Sequence, residues 1–152
     1  MTRVRHTARG IVVRAGQLLL MERWRPGLHY FSIPGGGIEP GETAEETVVR
    51  EIAEETTLVV TVERQVLEMR DSDTVHKIYL CQYVAGEPQL LADSPEALLS
   101  TADNLFSPRW VPVDELPQLS FTYWQPLQPE LIRGLQNGFP SDVTIVSAAQ
   151  TS

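Results

Sequence analysis

From Ile33 to Leu58 the chain reads IPGGGIEPGETAEETVVREIAEETTL. Gly35 to Gly41 contains four glycines and one proline. That composition predicts a sharp, irregular turn in which bare backbone comes close to another group. A helix over about Ala44–Thr56 is expected next. Thr43 and Glu46, three residues apart, form a capping box. Val48, Val49, Ile52 and Ala53 recur at helical spacing and are expected to face the core. At about 100° per residue, Glu51, Glu54 and Glu55 share one arc of that helix. Like charges so placed repel by about a few tenths of a kcal/mol per pair. Arg50 is the helix's sole basic residue, and no lysine relieves them. The residues alone leave two readings open: a solvated acidic face, or a site for a hard divalent cation, because carboxylate oxygens are what Mg²⁺ accepts beside its waters.

Outward from this stretch, Ile11–Val13 and Leu18–Met21 flank Ala15-Gly16 and predict a β-hairpin. WRPGLHY (24–30) reads as a loop and YFSI as a short strand ending at Pro34. After the helix, LVVTVERQVLEM and TVHKIYLCQYVA read as two strands paired around Arg70–Asp73. Gly86 to Pro108 reads as long and irregular, RWVPV as a strand, and DELPQL as a helical turn. Pro129 to Gln136 should be a helix with Gly138 beyond its end. From Pro140 onward only VTIV offers a further edge strand. The expectation is an α/β class chain in which residues 1–152 form one domain, a mixed β-sheet sandwiched between helices.

At 152 residues and 42% hydrophobic content the chain is expected to bury a real core. No apolar run approaches the roughly 20 residues of a membrane span, and no apolar block follows the basic first residues as in an export signal. Cys81 is the single cysteine, which excludes an internal disulfide and fits a cytoplasmic setting. The net charge of −8 argues against binding long nucleic acid. A small phosphorylated ligand remains open if a divalent metal supplies positive charge.

The stretch resembles the signature of the Nudix (MutT-like) hydrolases: Gly, five residues, Glu, seven residues, then Arg-Glu-aliphatic-x-Glu-Glu-x-Gly-aliphatic. Gly36, Glu42, Arg50, Glu51, Ile52, Glu54, Glu55 and Leu58 match it; Thr57 stands where the late glycine belongs. The six matching fixed letters would coincide by chance in roughly one such chain in 10⁵. The leading hairpin, SIPGGGIEPGE and RWVPVDELP resemble the family's flanks.

The resemblance implies a metal-dependent hydrolase in which water attacks one phosphorus of a nucleoside di- or triphosphate derivative. It implies Mg²⁺ or Mn²⁺ held by Glu51, Glu54, Glu55 and the carbonyl of Gly35. Arg50 would orient a carboxylate, Glu42 would play a supporting role, and Glu51 is the first choice of base within the box. An acid from a late loop, Asp103 or Glu96, would join the site. Arg23, Arg25 and Tyr30 are expected to contact the substrate, and Phe106 or Trp124 could stack on a base, although packing in the core explains either aromatic. His76 reads as a satisfied sheet histidine. Asp73 stands where many ADP-ribose hydrolases have proline, and Thr74 and Val75 where the dinucleotide polyphosphate group tends to have tyrosine. That leaves the broad MutT-like class. The alternatives are an ADP-ribose or nucleotide-sugar pyrophosphatase, or a non-catalytic nucleotide-binding module. The partner expected is a small nucleotide, with no long nucleic acid and no membrane; a homodimer is possible. Thr57 is expected to give the helix a different exit from the left-handed one a glycine provides.

Overall fold

The computed structural model describes residues 3–89 and 105–148. Strands β1 (Arg5–Arg14) and β2 (Gln17–Arg25) form the expected hairpin. Its two turn residues, Ala15 and Gly16, both take positive φ, at 51° and 76°. A two-residue turn of that hand matches the twist of the strands it joins. β3 is Leu28–Ser32 and β4 is Gly35–Gly37, followed by helix α1 (Ala44–Thr56). β5 (Val59–Arg70) and β6 (Thr74–Ala85) pair antiparallel around Asp71–Asp73, as expected. β7 (Leu105–Pro112) leads into short 3-10 segments at Val113–Gln118 and Thr122–Leu127, then helix α2 (Gln128–Asn137) and β8 (Thr144–Ser147).

The sheet runs β3-β2-β1-β6-β5-β8, with β4 added to β1 and β7 added to β2. It is mixed: β1 lies parallel to β6 and β5 parallel to β8, while the other pairs are antiparallel. Neighbouring residues on a strand face opposite ways, and the core divides accordingly. Ala8, Val12 and Leu19 pack under α1 against Val48 and Ile52. Ile11, Leu18 and Leu20 pack the other way, against Phe121, Trp124, Leu127 and Leu131. Helices therefore cover both faces of the sheet. No helix among the described residues is long and apolar enough to cross a membrane.

Four local expectations are corrected. Trp24 to Tyr30 is not a loop: only Pro26-Gly27 turns, and the residues on either side extend β2 and β3. Gly35–Gly37 is not irregular, because it pairs with β1, Arg9 opposite Gly35. The lack of side chains lets a third chain segment lie close there. Val49 does not face the core. It is 38% exposed, and the buried side of α1 is Thr47, Val48, Ile52, Glu55 and Thr56.

The fourth correction concerns the helix end. Thr57 has φ 67°, the left-handed conformation a glycine would supply. A β-branched residue there costs about 1–2 kcal/mol. The two threonines offset that cost. Thr56 Oγ1 donates to the Ile52 carbonyl at 2.7 Å and accepts from Leu58 N–H at 3.2 Å. Thr57 Oγ1 donates to the Glu87 carbonyl at 2.7 Å, tying the helix exit to the end of the β6 segment. Thr57→Val, which keeps the branch and removes the hydroxyl, is expected to destabilise the protein by about 1 kcal/mol. A denaturant titration checks this; an unchanged midpoint would show that the Glu87 contact contributes nothing.

Candidate active site

The capping box starts α1 as its residues dictate. Glu46 N–H donates to Thr43 Oγ1 at 3.1 Å, and Thr43 N–H donates to Glu46 Oε1 at 2.9 Å. One turn on, Arg50 gathers the carboxylates. Its Nε donates to Glu42 Oε2 at 2.6 Å and its Nη2 to Glu42 Oε1 at 2.9 Å, a two-pronged pair. Its Nη1 reaches Glu51 at 3.0 Å and Glu54 at 3.3 Å, and its Nη2 reaches the Gly37 carbonyl at 3.4 Å. Arg50 is thus the hub between the glycine strand, the loop glutamate and two helix glutamates. Hydrogen bonding to Glu42, above all, holds its pKa above the ordinary arginine value.

The same pair depresses Glu42, from 4.5 to about 2, chiefly through Arg50 and then through the Thr47 hydroxyl, which donates to it at 2.6 Å. A carboxylate whose pKa falls on folding adds stability above its unfolded value and loses it as pH falls through the folded one. The stability gap between the wild type and Glu42→Gln is therefore expected to be full above pH 4.5 and to vanish by about pH 2. Unfolding midpoints measured across that range test this; a gap that did not close in acid would remove Glu42 from the pair.

Glu55 is 7% exposed and accepts from Gly35 N–H at 3.1 Å. Gly36 is a cradle for Glu51: a Cβ added to it would lie 2.6 Å from the Glu51 carboxyl carbon. Glu54 stands outside, its side chain 44% exposed. The glycine strand and the helix carboxylates thus meet. Among the described residues no group of three His, Cys, Asp or Glu side chains forms a ready-made metal cage. That does not oppose Mg²⁺, which is usually bound through one or two carboxylates, with waters and substrate phosphate oxygens completing the octahedron. Hard oxygen donors packed against bare backbone suit such an ion.

Beside Gly35 and Glu55 opens a recess of about 170 Å³, walled also by Arg9, Met21, Ile33, Pro34 and Phe106. Arg23 lies on β2 with its guanidinium 4.3 Å from the ring centroid of Phe106, which walls the recess. Of the expected substrate-contacting residues, Arg23 and Phe106 lie together here. Tyr30 is buried in the core with its ring edge toward Tyr123, and Arg25 is exposed at the end of β2. Trp124 is also a core residue. Asp103 and Glu96 lie outside the described residues. His76 is a buried sheet residue: Thr7 Oγ1 is 2.7 Å from its Nδ1, and burial, followed by the nearby Arg9 charge, lowers its pKa to about 4.

Two charged residues that no motif marked also sit inside. Arg9 donates through Nη1 to the Ile33 carbonyl at 2.9 Å and lies 4.3 Å over the Trp124 ring. Burial lowers its pKa to about 10, opposed by the charge of Glu55. Glu22 is 6% exposed and ties β3 and β7 to β2 through His29 and Arg109, each at 2.6 Å. A charge at an inward-facing position of a strand was the available signal for both.

A model of the NUDIX domain matches residues 4–134. An ADP-ribose pyrophosphatase of Methanocaldococcus jannaschii is 35% identical over 103 residues, which are 63% of this chain and 61% of that protein. An RNA pyrophosphohydrolase of Serratia proteamaculans is 50% identical over 48 residues, 30% of this chain and 26% of that protein. Each match spans less than two thirds of the relative. A crystal structure of a NUDIX hydrolase from Nitrosomonas europaea superposes with a TM-score of 0.72, covering 97% of this chain and 81% of the other, at 16% identity. At that identity the likeness is one of fold.

Proposed function

Because this chain belongs to the Nudix family, we propose that it is a Mg²⁺- or Mn²⁺-dependent pyrophosphohydrolase of a nucleoside di- or triphosphate derivative. The observation that carries the reading is the meeting of Glu51 and Glu55 with the bare backbone of Gly36 and Gly35, under the control of Arg50. A divalent metal supplies charge screening at the phosphoryl oxygens and lowers the pKa of the attacking water. Glu51, Glu54, Glu55 and the Gly35 carbonyl would hold it. Arg50 keeps Glu51 and Glu54 oriented when substrate arrives. A carboxylate then takes the proton of the attacking water; Glu51, aimed by Arg50, is the base we assign. Arg23, standing on Phe106, would contact the bound nucleotide.

The intact set of box carboxylates weighs against a non-catalytic binding module. A second reading, cleavage of ADP-ribose or a nucleotide sugar, is favoured by the similarity to a protein named ADP-ribose pyrophosphatase. The test is a panel of nucleoside triphosphates, ADP-ribose and nucleotide sugars with Mg²⁺ or Mn²⁺, read by pyrophosphatase-coupled phosphate release or by release of nucleoside monophosphate. Metal-dependent turnover supports the assignment. Tight binding of a nucleotide without cleavage in the presence of metal would support the binding module instead. The substrate is small, so no membrane or long nucleic acid is required, and the single buried cysteine suits a cytoplasmic enzyme.

A further inference from the structure

Arg9 is not among the residues that Arg50 gathers, yet it lies within the field of Glu55 and walls the recess beside it. Its Nη1 is committed to the Ile33 carbonyl and its flat face to Trp124. Its Nε is buried and has no hydrogen-bond partner among the described residues. Nε and Nη2 form the side-on edge of a guanidinium, which donates two parallel hydrogen bonds to a neighbouring pair of acceptors. A buried donor without a partner is costly for the protein alone, and a ligand that supplies the acceptor relieves the cost.

The rest of the recess indicates what kind of acceptor enters. Met21, Ile33, Pro34 and Phe106 are apolar or aromatic walls, Ser32 and the Gly35 backbone are polar, and Glu55 is anionic. The phosphoryl oxygens are provided for by the metal that Gly35 and Glu55 would hold at one side of the recess. Against the apolar walls a charged group would lose its hydration, whereas a flat, neutral heterocycle avoids that penalty. The volume of about 170 Å³ is below the roughly 300–1,000 Å³ usual for a whole small-molecule site, and suits one ring system.

The geometry points to Arg9 as a specificity-determining residue that reads a nucleobase presenting two adjacent acceptors, an inference that rests on the pyrophosphohydrolase reading above. Two common bases have such an edge. Guanine offers O6 beside N7, and cytosine offers O2 beside N3. Adenine sets its donor amino group beside N1 and N7 and leaves N3 with no neighbouring acceptor, and uracil and thymine alternate carbonyl, N–H and carbonyl. Adenine, uracil and thymine therefore leave one Arg9 donor unmatched.

The experiment compares kcat/KM for GTP, CTP, ATP and UTP on the wild type and on Arg9→Met with Mg²⁺ or Mn²⁺. The wild type is expected to favour GTP, CTP or both over ATP and UTP on the order of tenfold or more, the discrimination of one bidentate arginine–base pair. Arg9→Met is expected to flatten the ratios to within about threefold; because they are ratios within one preparation, partial loss of folding does not disturb them. The 7-deaza analogue of GTP serves as a further arm on unmutated protein. Its turnover should fall to that of ATP if guanine is the base read, whereas a preference for CTP alone identifies the cytosine edge. Turnover with no such preference, or a preference unmoved by Arg9→Met, overturns this inference and leaves the enzymatic reading standing. Absence of metal-dependent cleavage of every nucleotide overturns both.

Discussion

Replacing Glu55 by glutamine is expected to lower kcat by a factor of about 10²–10⁴ at saturating Mg²⁺, the range over which single acid–base and charge-stabilising groups act. The change should leave the fold nearly intact. Glu55 is buried and accepts a hydrogen bond from Gly35 N–H. A glutamine carbonyl can accept that bond in the same volume, so the substitution removes the charge while keeping that contact. An unfolding midpoint close to wild type, beside the fall in kcat, places the effect in the chemistry. Glu54→Gln is the companion measurement, because Glu54 is half-exposed and its one described partner is Arg50. If both variants kept wild-type turnover, the helix would be a solvated acidic face and the metal assignment would be lost.

The parts of the molecule legible in the sequence are those written in local patterns. Thr43 and Glu46 announced the start of α1, and the alternation on either side of Ala15-Gly16 announced the hairpin, since neighbours along the chain determine both. The glycine strand was not legible. Its regularity comes from β1, 30 residues upstream in the pairing of Gly37 with Thr7 and 26 in that of Gly35 with Arg9, and no window around Gly35 contains that partner. The segment Trp24–Tyr30 misled for a similar reason. Pro26-Gly27 is a turn, but the polar and aromatic residues beside it belong to strands whose pattern is set by ion pairs, Glu22 with His29 and Arg109, instead of by apolar alternation. At Thr57 the β-branch cost was correctly weighed, but the compensating Glu87 carbonyl lies thirty residues away.

The candidate site divides along the same line. Glu51, Glu54, Glu55 and Arg50 lie within six residues of one helix, so their spacing alone fixed their common arc. Arg9 reaches the site only because β1 carries β4, and Arg23 only because β7 sets Phe106 beneath it. Residues gathered by tertiary pairing leave at most a weak mark: a charge where an apolar strand residue is expected.

Gly35→Ala is expected to be the most damaging single substitution in the glycine strand, costing about 3 kcal/mol or more through strain and overlap together, or a fall in Tm of roughly 10 °C for a chain of this size. Gly35 has φ 155°, which side-chain-bearing residues rarely adopt, and an added Cβ would lie 2.3 Å from the Ala8 carbonyl oxygen and 2.6 Å from Arg9 Cα. Both are backbone atoms of β1, held in register by β6 as well as β4, so neither can withdraw without opening the sheet. Gly36→Ala is the contrasting control. The three atoms nearest its Cβ would all belong to the carboxylate end of Glu51, the closest at 2.6 Å, and a side-chain end can swing away. Gly36→Ala should therefore fold with a Tm near that of wild type and lose turnover, because the swing takes Glu51 off Arg50 and out of the site. Equal loss of stability in the two variants would mean that the glycines serve the sheet alone. Selective loss of activity in Gly36→Ala would mean that bare backbone at the second glycine exists to seat the carboxylate.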